Sequence, residues 1–336
     1  MTPSRNTAAR STAPEPAPPD HYLEDLACLC KASADPLRLQ ILRLLRSDSF
    51  GVSELCAIFD MRQPALSHHL KVLAGAGMVA SRREGNSIFY RRSELGQPAA
   101  VEALQNQIFE AADRIELAEP ICRRLLALQR RREQNSRDFF RDNAHKFQQQ
   151  QDLIASYRQY AATVEQVLRD APLRRRRTAL EVGPGDGSFL PVLAADFRRV
   201  VALDNAPSML ERARATVRSA GAGNVEFILG DTTSAQLTGL QADCAVINMV
   251  LHHTPSPAQM LRDVAARLVP GAVVLVTDLC RHHQAWAREN CGDLWLGFEP
   301  ADLGNWAAAA GLTDIACVYL AQRNGFQIQV RLFGRP

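Results

Sequence analysis

The stretch TALEVGPGDGSFLPVLAA, beginning at Thr178, constrains this chain more than any other. Thr178–Val182 is an apolar run of strand length, and a helical pattern follows the glycines. Gly183, Gly185 and Gly187 let the backbone turn sharply and come close to a ligand. A glycine loop between strand and helix is shared by many nucleotide-binding folds. Two details separate them. A dinucleotide site places its third glycine three residues after the second, for the pyrophosphate and for close helix packing; here that position is Ser188 and the extra glycine is Gly187. Glu181, just before the loop, would repel a pyrophosphate and suits a cationic ligand.

The segments that follow alternate strand and helix. RRVVALD ends in Asp204, 17 residues past Gly187, where a carboxylate can accept both hydroxyls of a ribose. In NAPSML, Met209 either packs on a base or belongs to the helix core. NVEFILGD gives a third strand ending at Asp231, a candidate acceptor for an adenine amino group. DCAVINMVLHH and VPGAVVLVTDL supply the fourth and fifth strands. This alternation predicts a parallel sheet covered on both faces. EVGPGDG, LDNAPSML, GD and NMVLHH, in this order over residues 178–280, resemble the class I S-adenosylmethionine-dependent methyltransferases. The resemblance implies a Rossmann-like α/β domain that binds S-adenosylmethionine or S-adenosylhomocysteine. Its cofactor positions are then Glu181, Gly183, Gly185, Asp204, Met209, Asp231 and Asn248, and RNGFQIQVRLF supplies a final antiparallel strand.

The first part of the chain has a different period. DPLRLQILRLL sets Leu37, Ile41, Leu44 and Leu45 on one helical face, with Asp35 as N-cap and Pro36 at the first helical position. GVSELCAIF is a short helix, Asp60–Gln63 a turn, and PALSHHLKVLAGAG a third helix buried along Leu66, Leu70 and Leu73. Its other face carries Pro64, His68 and Lys71, with Ser67 at the margin and Gln63 at the start, where a recognition helix reaches base edges. His69 lies near the buried stripe and reads as a packed histidine. MVASRREGNSIFYRR alternates around a turn at Glu84–Asn86 and predicts a hairpin whose tip and flanks carry Arg82, Arg83, Arg91 and Arg92, a wing that would grip phosphates, with Arg82 and Arg83 as the candidate DNA contacts. Together these segments resemble the ArsR/SmtB-type bacterial repressors over residues 21–95. That implies a winged helix-turn-helix, mainly α, acting as a homodimer on a palindromic double-stranded DNA operator.

The charge divides with the pattern. Residues 1–177 carry 27 Lys/Arg against 21 Asp/Glu, a net +6, and residues 178–336 carry 12 against 15, a net −3. The basic half is the one expected to meet a polyanion. The expected division is a disordered tail over 1–20, with five prolines, then the winged domain over 21–95. A helical linker or dimerisation region follows over 96–135, and the methyltransferase domain over 136–336. SRDFFRDNAHKF resembles the helical lead-in that covers the cofactor in class I methyltransferases, while CRRLLALQRRR reads as a solvated basic face. No apolar run reaches the roughly 18 residues of a membrane span, so a cytoplasmic bacterial protein is expected.

Metal ligation is not expected. The metal-sensing repressors carry Cys-x-Cys before the turn, where this chain has Cys56 alone; Cys28 and Cys30 diverge around a helix. Cys280, His282, His283 and Cys291 fit no common metal spacing. His252 and His253 follow the fourth strand and are the candidate catalytic bases for methyl transfer. Three readings remain open at this level: a repressor that senses S-adenosylmethionine or S-adenosylhomocysteine, as do the methionine-cycle regulators that this fusion resembles; an active small-molecule methyltransferase with an autoregulatory DNA-binding domain; and arsenite methylation, for which only Cys244, Cys280 and Cys291 are available.

Overall fold

The computed structural model describes residues 19–46, 48–84, 87–93, 99–143 and 147–336. The tail expected over 1–20 falls almost wholly outside them, as does the hairpin tip at Gly85–Asn86.

The chain opens with α1 (Pro19–Ser33), α2 (Pro36–Leu44), a short β1 (Phe50–Gly51), α3 (Val52–Phe59) and α4 (Gln63–Gly75). Asp35 caps α2 by accepting from the Arg38 amide at 3.0 Å, with Pro36 in the first turn. Ile41, Leu42, Leu55, Ile58, Leu66, Leu70 and Leu73 are fully buried and join the three helices in one core. Each such side chain contributes about 1.5–3 kcal/mol from burial. Asp60 closes α3 in the left-handed region, φ 57°, and makes the turn into α4. Strands β2 (Val79–Glu84) and β3 (Ser87–Arg92) pair antiparallel, with Arg82 opposite Phe89 and Ala80 opposite Arg91, and β1 adds to β3. This is the winged helix-turn-helix anticipated.

Next, α5 (Ala99–Asp113) buries Val101 and Ala112 within its own chain, against α1 and α2. Helix α6 (Glu119–Asn143) then runs 25 residues without a break. The expected boundary between residues 135 and 136 therefore falls inside a helix. Past Pro120 the segment contains no glycine or proline, so nothing in it can stop a helix.

After α7 (Phe147–Ile154) and α8 (Tyr157–Arg169) comes a seven-stranded sheet. Its parallel strands are β4 (Thr178–Val182), β5 (Arg199–Asp204), β6 (Val225–Leu229), β7 (Ala242–Asn248) and β8 (Leu268–Leu279), alternating with α9 (Leu190–Asp196), α10 (Pro207–Ser219) and α11 (Pro257–Ala266). Helices α12 (Trp286–Cys291) and α13 (Pro300–Ala309) precede β9 (Thr313–Ala321) and β10 (Gln327–Gly334). The order is β6-β5-β4-β7-β8-β10-β9, with β10 antiparallel to both neighbours. Central strands are buried along their length, as a doubly covered sheet requires; β9, at the edge, is largely exposed and was not anticipated from the sequence.

The two domains touch. The wing lays Phe89 against the Trp295 ring, centroids 6.2 Å apart, and pairs Arg91 with Asp302 at 3.0 Å. Asp48, ahead of β1, accepts from the Ser256 hydroxyl at 2.9 and 3.0 Å.

Candidate functional site

A cavity of about 320 Å³ opens at the carboxyl ends of the parallel strands, where open α/β sheets bind their ligands. Gly183, Gly185, Asp204, Met209 and Asp231 all line it. A smaller cavity of about 70 Å³ shares Gly183, Gly185 and Met249 with it and is lined by Glu181, Asp186 and Asn248. Thus all seven positions expected from the sequence lie on two adjoining cavities.

The loop's glycines are demanded by geometry. Gly183 has φ +66°, and a Cβ there would fall 2.5 Å from a Val250 methyl. At Gly187, φ +79°, a Cβ would meet the α10 backbone at Ala213, 2.8 Å away, so the extra glycine serves helix packing rather than the ligand. Asp204 ends β5 and accepts from the Ala206 amide at 2.8 Å; burial nevertheless pushes its carboxyl up to about 6. Asp231 Oδ1 is held by the Thr233 amide and hydroxyl at 2.8 and 2.6 Å, which fixes the carboxylate at the cavity wall. Met209 is buried and also lines the cavity, so its two readings are compatible. Met249 sits in the left-handed region at φ 55°, uncommon for a side chain of its size, on the wall shared by both cavities.

Glu181 is buried, and its Oε2 has no hydrogen-bond partner among the described residues. Burial, reinforced by Asp186, raises its carboxyl to about 8. The Asn248 side-chain amide beside it is also unsatisfied among the described residues. Buried polar atoms of this kind are costly and call for a ligand. The two cavities thus offer a ligand the carboxylates of Glu181, Asp204 and Asp231, the Asn248 amide and the apolar wall at Met209.

The far wall was read only in part from the sequence. Gln129, Glu133, Ser136 and Arg137 of α6 complete the larger cavity. Ser136 and Arg137 belong to the lead-in segment singled out above. Gln129 and Glu133 lie in or beside the arginine-rich run read as solvated, because a helix with cations on several faces shows no clear inward stripe. The same helix grips the winged domain. Arg124 donates to the Asp60 carboxylate at 2.8 Å and to the Ile58 carbonyl at 3.3 Å. Arg132, mostly buried, donates twice to Glu54 of α3, at 3.0 and 2.5 Å, and once to the Pro255 carbonyl at 3.0 Å. Its guanidinium lies over the Phe50 and Trp295 rings, 5.4 and 5.0 Å from their centroids.

His252 and His253 separate. His252 is fully buried and its Nδ1 bonds the Asp278 carboxylate at 2.8 Å. Burial opposes its protonation, but Asp278 and Asp293 outweigh that and raise it to about 9. It does not line the cavity, and its Nδ1 is taken by Asp278, which counts against its candidacy as base. His253 lines the cavity, and burial together with the neighbouring His252 pushes its pKa well below the ordinary value, leaving it neutral at pH 7.

On the winged domain, Gln63, His68 and Lys71 are exposed along α4, and Ser67 is half-buried beside them. His69 is half-buried beside the stripe, its Nδ1 3.8 Å from an Asp35 oxygen, too far for the hydrogen bond of a core histidine. Arg83 is on the outer face of the hairpin. Arg82 is not on that face. It shares the inner face with Phe89, points its Nη1 at the Gly297 carbonyl at 3.5 Å, and burial lowers it to about 10. Alternation along the strand explains the error: neighbouring residues point to opposite faces, and only one of the two arginines can face outward.

The fold is that of a winged helix-turn-helix domain joined to an α/β domain of the class I methyltransferase type. Residues 35–81 match the family model of bacterial regulatory proteins of the arsR family, and residues 180–276 match a methyltransferase domain. The biofilm growth-associated repressor of Agrobacterium fabrum (strain C58) is 45% identical over 80 residues, which is 24% of this chain and 68% of that protein. The HTH-type transcriptional repressor SmtB of Mycobacterium tuberculosis is 39% identical over 80 residues, 24% of this chain and 59% of its own length. Through its N-terminal domain the chain belongs to the arsR family. The magnesium protoporphyrin IX methyltransferase of Synechocystis PCC 6803, solved with bound SAH, has a TM-score of 0.50 at 16% identity, covering 61% of this chain and all of that one, and carries the fold alone. No helix among the described residues is long and apolar enough to cross a membrane.

Proposed function

We propose that this protein is a DNA-binding repressor whose methyltransferase-like domain takes S-adenosylmethionine or S-adenosylhomocysteine as its signal. The observation that carries this reading is helix α6. One side of it completes the cavity through Gln129, Glu133, Ser136 and Arg137, and another holds α3 through Arg124 and Arg132. A ligand that moves or stiffens α6 acts directly on the helix packed behind the recognition helix. A tenfold change in operator affinity requires only about 1.4 kcal/mol of such coupling. The repressor acts as a homodimer on a palindromic operator, with Gln63, Ser67, His68 and Lys71 toward the bases and Arg83 toward phosphate.

A second reading, an active small-molecule methyltransferase under its own regulatory domain, is favoured by one observation: neutral His253 lies on the cavity wall, where a base for a protonated acceptor belongs. Incubation of the purified protein with labelled S-adenosylmethionine and cell extract separates the two. Stoichiometric ligand binding without turnover is expected; catalytic release of S-adenosylhomocysteine would establish the enzyme instead.

A further inference from the structure

Behind the cavity wall, three ligand-type side chains converge: His252, His253 and Asp293, all buried, with one donor atom from each lying within 4.8 Å of the others. We propose that they form a binding site for a single divalent transition-metal ion of the zinc class.

Asp293 carries the argument. It is 3% exposed, yet neither carboxylate oxygen has a hydrogen-bond partner among the described residues, and the facing Nε2 of His252 has none either. A buried carboxylate that no donor meets at hydrogen-bond distance is costly, and an ion held between it and the two imidazoles would satisfy it. Oδ1 of Asp293 lies 3.9 Å from His252 Nε2 and 3.8 Å from His253 Nδ1. These separations are too long for hydrogen bonds. Two atoms bound tetrahedrally to one zinc-class ion at about 2.0–2.1 Å stand about 3.3 Å apart, so modest side-chain rotation closes the set.

The surroundings are built for the same arrangement. Asp278 accepts from His252 Nδ1 at 2.8 Å, which orients the ring so that Nε2 faces Asp293; an ion bound there displaces the Nε2 proton. Asp278 is itself held by the Leu251 amide at 2.9 Å and the Leu279 amide at 2.7 Å. The His252 carbonyl accepts from the Leu294 and Trp295 amides at 2.9 and 3.1 Å, pinning the segment that bears Asp293 against the histidines. Gly292 holds φ +76°, and a Cβ there would collide with Phe139 of α6, so the turn into Asp293 is specified by packing. His253 Nδ1 exchanges its 3.3 Å contact with the Gly292 carbonyl for the ion. Its Nε2 then donates to Gln151, whose amide turns to present oxygen.

Two imidazoles and one carboxylate suit zinc, cobalt, nickel or ferrous iron and discriminate against magnesium and calcium. Three protein ligands leave a coordination position for water or a bound ligand group. Cys280, His282, His283 and Cys291, the set considered from the sequence, form no such group among the described residues.

The test uses the full chain, stripped with EDTA and titrated with Zn²⁺ by calorimetry and with Co²⁺ by visible absorption. One Zn²⁺ per chain is expected, with the Kd raised at least 100-fold in Asp293→Asn and unchanged in Cys291→Ser. The Co²⁺ form of the unmodified chain should show ligand-field bands without a thiolate charge-transfer band, a readout that does not depend on any variant folding. Absence of saturable one-to-one binding, undiminished binding in a folded Asp293→Asn variant, or a thiolate band would each overturn the site.

Discussion

Glu181 and Asp204 must both be ionised to hold the proposed ligand, and they differ in their state before it binds. Glu181 is raised to about 8 and is mostly protonated at pH 7 before binding. An ammonium group favours its ionised form, so binding near pH 7 releases a proton. Calorimetry of S-adenosylhomocysteine binding in two buffers of different ionisation enthalpy should show release approaching one proton, abolished in Glu181→Gln. Asp204, raised to about 6, must be ionised to accept two ribose hydroxyls. Its folded pKa lies above the usual 3.8, so the carboxylate form disappears as pH falls through about 6; affinity should drop roughly tenfold per unit between about 8 and 6 through Glu181, and roughly 100-fold per unit below 6, where Asp204 adds its own proton. Equilibrium dialysis from pH 7.5 to 5 checks this; a profile that does not steepen below about 6 would remove Asp204 from the ribose. Gly183→Ala should cost about 1–3 kcal/mol of stability and close the loop to ligand, because it combines a positive φ with the Val250 clash. These positions were legible in the sequence because each stands at a strand end or in a glycine loop, where the fold fixes the geometry locally.

Among elements, α6 and the wing were the least legible, for the same physical reason. Helix α6 meets the cavity on one side and α3 on another, so its apolar stripe is replaced by polar contacts that periodicity does not register. The wing was recognised as a hairpin from alternation, but which face is buried depends on a domain more than 200 residues away in the chain. Phe89 carried the hint, a large aromatic at a strand position that an isolated wing would leave solvent-exposed. Two predictions belong here. Arg132→Met should leave ligand affinity within about threefold while reducing the effect of ligand on operator binding toward none, read by fluorescence anisotropy. In the salt dependence of operator binding, Arg83→Ala should flatten the log–log slope by about 0.9 for each phosphate that Arg83 neutralises, and Arg82→Ala should leave the slope unchanged. Equal slopes for the two variants would contradict the orientation of the hairpin.

At the scale of the molecule, the two halves were separable in the sequence by period and by charge, and both folds follow from local pattern. Their joint was not. The Asp48–Ser256 hydrogen bonds, the Arg91–Asp302 ion pair and the Arg132 stack join distant segments, each made of residues unremarkable alone. They make the second domain more than a passenger, since the helix that closes its cavity is the one that braces the DNA-binding core. The measurement that tests this most directly is a titration of the purified protein onto a labelled fragment of its own upstream region, with S-adenosylmethionine, with S-adenosylhomocysteine, and with neither. At least a tenfold shift in affinity with one of the two ligands is predicted, together with the reciprocal shift in ligand affinity when operator DNA is present. Tight ligand binding with identical operator affinity in all three conditions would contradict it.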